Sequence, residues 1–82
     1  MNDVYAAIQA ADRSGGLRGK DVNDLLKRAN AIRDALRRHD YGAARKAANS
    51  LLEFVNHLDR LRDSNRRQIE AAVNAVIDAI PA

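Results

Sequence analysis

The side chains best suited to chemistry in this chain are two histidines, three serines and two tyrosines. Imidazole titrates near neutrality, and a hydroxyl becomes a nucleophile once a base activates it. His57 follows Glu53 by four residues, so on a helix the two share a face, and His39 adjoins Asp40. A metal centre asks for three or four converging ligands, and the sequence has neither a His-x-x-x-His pair nor a cysteine. The spacing instead predicts a His–Glu pair on a helix surface and a turn histidine closing a helix in the left-handed conformation. Ser14 and Ser64 fall at helix boundaries, where serine caps, and Ser50 is expected on the polar side of its helix. No serine, histidine and carboxylate are spaced as a triad. Gly15-Gly16-Leu17-Arg18-Gly19 lacks both a preceding strand and the Gly-Lys-Ser/Thr ending of a phosphate loop, so it reads as a linker. The expectation is therefore no catalytic residue, no metal ligand and no cofactor.

Charge is the other resource. Lys27-Arg28, Arg37-Arg38, Arg45-Lys46 and Arg66-Arg67 could neutralise several phosphates if they shared one surface. Adjacent residues on a helix point about 100° apart, however, so each pair divides between faces, and Asp24, Asp34, Glu53, Asp59 and Glu70 interleave with them. Nucleic-acid binding is thus the runner-up reading, and a homo-oligomeric assembly element is a third.

Four helical segments must carry these groups. Asp3 to Arg13 places Val4, Ala7, Ile8 and Ala11 on one stripe beside Tyr5, and Ser14-Gly15-Gly16 ends it. Leu17 is then expected to plug the core. A second helix starts near Lys20 or Asp21 and runs to Arg38, with Val22, Leu25, Leu26, Ala29, Ile32 and Leu36 inward. After His39-Asp40 a third is expected from Tyr41 or Gly42 to Leu61 or Arg62, with Asp40 as N-cap and Leu51, Val55 and Leu58 on its core stripe. So short a connection makes these two helices an antiparallel hairpin. Asp63-Ser64-Asn65 reads as a third break, with Asn65 and Gln68 as a capping pair, and Ile69, Val73, Val76, Ile77 and Ile80 line the last helix. Tyr41 and Phe54 are expected to pack rather than stack on a ligand.

Composition agrees with this plan. Eighty-two residues allow one hydrophobic core, and 46% hydrophobic with 30% charged residues describes a folding chain. Sixteen alanines and a single proline favour helix. No apolar run is long enough to span a bilayer, and the start lacks the basic and apolar regions of a signal peptide. The prediction is an all-α compact bundle of three to four short helices in a single domain, residues 1–82. Residues 1–15 form a peripheral N-terminal helix and residues 16–80 the bundle core.

Several stretches carry a family resemblance. Gly16-Leu17, Val22, Leu25-Leu26, Ala35-Leu36, Asp40-Tyr41-Gly42-Ala43-Ala44 and Leu51-Leu52-Glu53-Phe54-Val55-Asn56-His57-Leu58 together resemble the FIMAH domain, a small helical module of larger secreted bacterial proteins. The resemblance spans Gly16 to Leu58. His39 stands where the family has a small turn residue, and Asp63-Ser64-Asn65-Arg66-Arg67 where a Gly-Lys-type turn is usual. The resemblance implies a non-catalytic accessory role, an extracellular setting within a secreted parent, and partners that are proteins or neighbouring domains. The surface to search first is the exposed side of the central hairpin, where Lys27, Arg38, Lys46, His57 and Arg60 project.

Overall fold

A computed structural model describes residues 1–81 and gives four helices: α1 Asn2–Arg13, α2 Gly19–Arg37, α3 Tyr41–Asn56 and α4 Asp63–Ala79. No strand occurs among the described residues. Each helix packs on its sequence neighbours, and α1 also packs on α4, so the four close into a ring. Ile80 just past the end of α4 packs with Ala44 at the start of α3 and Ala35 near the end of α2, while the α1–α2 loop meets the α3–α4 loop at Gly16 and Arg60. The neighbours are therefore antiparallel, and the result is an up-and-down bundle of 36 × 21 × 20 Å.

One core cluster draws on all four helices, with Ile8, Leu25, Ile32, Leu51, Ile69 and Val73 fully buried. The sequence leaves α1 at the periphery. The structure corrects this, since Val4, Ile8 and Ala11 are fully buried and make α1 a complete wall of the bundle. Tyr5 adds a cross-link, its hydroxyl donating to Asn30 Oδ1 on α2. A second, smaller cluster of Ala35, Ala44 and Ile80 fills the opposite end, with Tyr41 packed against it. The alanines there let α2 and α3 approach closely while Ile80 plugs the gap.

The helix ends show where local rules act. Ser14 Oγ donates to the Ala10 carbonyl at 3.0 Å as α1 ends, and Gly15 and Gly16 take φ of +82° and +87°. A Cβ on Gly16 would sit 3.4 Å from the Arg60 carbonyl oxygen, so this loop lies against the one joining α3 to α4. His39 closes α2 at φ 57°, the left-handed position its place in the turn predicts, and Asp40 Oδ1 accepts from the Ala43 N–H at 3.2 Å.

Two expectations fail at the next connection. α3 stops at Asn56, not at Leu61 or Arg62, and Asp63-Ser64-Asn65 is the first turn of α4 rather than a break. Asn65 is consequently no cap; it is the third residue of α4 and is buried. At this end Arg66 Nε donates to the Val55 carbonyl at 3.2 Å and Arg66 Nη2 to that of Leu58 at 2.8 Å, beside the backbone bonds from the Leu58 and Leu61 N–H groups. One guanidinium thereby serves the open end of α3, where the last carbonyls lose their helical partners. Unwinding also benefits Leu61. On a continued helix it would point roughly 100° away from Leu51 and Val55, whereas here it is buried at 4% exposure.

Candidate functional site

The predicted surface residues do not form one site. Lys27, Arg38, Lys46, His57 and Arg60 are all exposed, but they run from one end of the bundle to the other. Arg38 lies at the α2–α3 turn, Arg60 lies in the α3–α4 connection, and Lys46 stands alone on α3. Only Lys27 and His57 meet a common feature, a groove between α2 and α3.

That groove encloses about 370 Å³ between Asp24, Lys27, Arg28 and Ala31 on α2 and Ala47 and Ser50 on α3. It continues past Arg28 and Ser50 into a cleft of about 230 Å³ bounded by Glu53, Phe54 and His57. Arg28 is the centre of both. Its position follows from periodicity, because it lies three residues after Leu25 and four before Ile32, at the edge of the stripe that faces α3. On α3, Ser50 and Phe54 lie four apart and so line one edge next to buried Leu51 and Val55.

Arg28 Nη1 donates to Ser50 Oγ at 2.6 Å, and its guanidinium carbon lies 4.6 Å from the centroid of the Phe54 ring. A cation over an aromatic face is attracted by the ring quadrupole. The planar group is thus held by a ring and a hydroxyl. Its Nε is buried without a hydrogen-bond partner. Asp24 and Glu53 supply negative charge along the walls and Lys27 positive, so the groove is polar and of mixed sign.

Ser50 accordingly departs from its expected polar side and is half-buried beneath Arg28, and Phe54 is half-buried too. His57 does not pair with the Glu53 carboxylate; its Nδ1 lies 2.8 Å from the Glu53 carbonyl oxygen, so the histidine closes the helix end. His39 Nδ1 lies 3.2 Å from the Tyr41 hydroxyl across the opposite turn, with the two rings edge-on at 76°. Arg28, Ser50 and Phe54 are the residues that sequence reasoning misses as a group, since only the register of α2 against α3 joins them. Among the described residues no three His, Cys, Asp or Glu side chains are grouped to hold a metal ion, and no helix is long and apolar enough to cross a membrane. Comparison with family models, curated proteins and solved structures gives no match for this chain.

Proposed function

We propose that this chain is a non-catalytic helical accessory module of the FIMAH kind, serving a larger exported bacterial protein and contacting a protein partner or neighbouring domain through the α2/α3 groove. The observation that carries this reading is Arg28, fixed by Phe54 and Ser50 with its Nε unpartnered. Arginine held in this way loses little freedom on binding, and such anchored arginines are common centres of protein interfaces. The mixed charge of the groove favours a protein surface over a uniform polyanion.

The test is a titration of the isotopically labelled chain with a blocked peptide of alternating glutamate and lysine, followed by amide chemical shifts. Shifts at Arg28, Ser50 and Phe54 that vanish in Arg28→Ala support the groove. Shifts confined to other residues overturn it. Turnover of simple ester, phosphate or glycoside substrates by the purified chain would overturn the non-catalytic part.

A further inference from the structure

The up-and-down ring brings the α1–α2 and α3–α4 connections to one end of the bundle, in contact where Gly16 meets the Arg60 carbonyl. Charge is not evenly shared between this end and the rest. Residues 12–21 and 57–67 hold seven Lys or Arg against four Asp, which is the whole net charge of +3; the remaining residues hold seven of each sign. Arg66 is spent on the carbonyls of Val55 and Leu58 and on Asp63, which it meets at 3.1 Å. Apart from that pair the end carries six exposed cations, Arg13, Arg18, Lys20, Arg60, Arg62 and Arg67, against the carboxylates of Asp12, Asp21 and Asp59. Among the described residues none of the six joins an ion pair.

Two of these arginines stand where they are poor for stability. Arg18 and Arg62 occupy the N-cap positions of α2 and α4, and neither of their side chains caps its helix, although Asp21 accepts from the Arg18 backbone N–H. Asp, Asn, Ser and Thr are the residues that cap well there, and a cation is disfavoured beside the positive end of a helix. Both positions thus hold charge in place of a cap.

We infer that this end of the bundle is a binding surface for an anionic polysaccharide, a flexible chain bearing sulfate or carboxylate groups. Five of the six cations are arginines, whose forked donors match sulfate and carboxylate oxygens. No large hydrophobic side chain is exposed among the described residues, so there is neither a platform for stacking unpaired bases nor a wedge for a lipid surface. An end about 20 Å across meets few phosphates of a straight duplex, whereas a flexible polymer can wrap around it. This surface is separate from the α2/α3 groove, and the two stand or fall independently.

The experiment measures binding of the described chain to heparin and to polygalacturonate by calorimetry, the two probes separating sulfate from carboxylate. Affinity for at least one is expected, falling roughly a hundredfold to a thousandfold between 50 and 200 mM salt if four to six cations take part. Arg18→Asp with Arg62→Asp turns the charge of this end from +3 to −1 and should abolish binding, yet raise the melting temperature by about 5 °C because each helix gains a cap. Loss of binding in that variant therefore cannot be ascribed to unfolding. Arg37→Glu with Arg38→Glu makes the same change of charge at the other end and should bind as the parent does. Equal loss in both variants, no binding to either probe at low salt, or tighter binding of single-stranded or duplex DNA of equal charge would each overturn the inference.

Discussion

The α2–α3 turn and the α3–α4 connection do the same work by different means. The turn spans residues 38–40 and is closed by its own atoms: the His39 N–H donates to the Leu36 carbonyl, the Asp40 N–H to that of Ala35, and Asp40 caps α3. The connection spans residues 57–62 and is closed partly by its own atoms, the Leu58 N–H donating to the Val55 carbonyl and the Leu61 N–H to that of Leu58, and partly from the next helix, by Arg66. A turn held by neighbours in sequence tolerates change elsewhere. A connection shared with a side chain of the next helix is sensitive to that side chain as well.

The largest expected break in this contrast is Arg66→Ala, which removes the guanidinium donors to two main-chain carbonyls that keep only their backbone N–H partners, and should cost about 2 kcal/mol in a urea melt. A loss below about 1 kcal/mol would show that the connection's own backbone bonds suffice, as those of the turn do. Gly16→Ala comes next, at about 1–2 kcal/mol, because a side chain at φ +87° is strained and would face the Arg60 carbonyl. Thermal denaturation reads it, and an unchanged midpoint would mean that the two loops do not press together. Asp40→Ala should cost about 1 kcal/mol, with Asp40→Asn restoring most of it, since the cap needs an acceptor more than a charge. The smallest effect is His39→Gly, expected to stabilise by about 0.5 kcal/mol by relieving the left-handed backbone. Destabilisation there would assign real weight to the His39–Tyr41 contact.

The same contrast governs what the sequence discloses. His39, Asp40 and Tyr41 are legible because a left-handed closing residue, a carboxylate cap and an aromatic after a tight turn are all local devices. Leu58 misleads because it continues the stripe of Leu51 and Val55, so periodicity extends α3 past its true end. Arg66, eleven residues beyond Val55, donates to the carbonyl at the true end, and nothing in one-dimensional spacing marks that contact. Arg28 is hidden for the same reason, because its partners Ser50 and Phe54 lie twenty-two or more residues away across a helix interface. α1 is underrated for a different one. It is short and alanine-rich, and its burial depends on α4, a helix about fifty residues further along.

That last pairing has a kinetic side. Three of the four helix contacts join sequence neighbours, and only α1 on α4 requires the chain to close a long loop. Loop-closure entropy makes such a contact the slow one to gain, whereas neighbouring hairpins form early. The outer edge of the seam between the two helices is an open groove lined by Ala6, Ala7 and Ala10 against Ala71, Ala72 and Ala75, while Val4, Ile8, Ile69 and Val73 are fully buried inside. Those β-branched side chains are already stiff at χ1, so this late docking step carries a modest side-chain entropy cost.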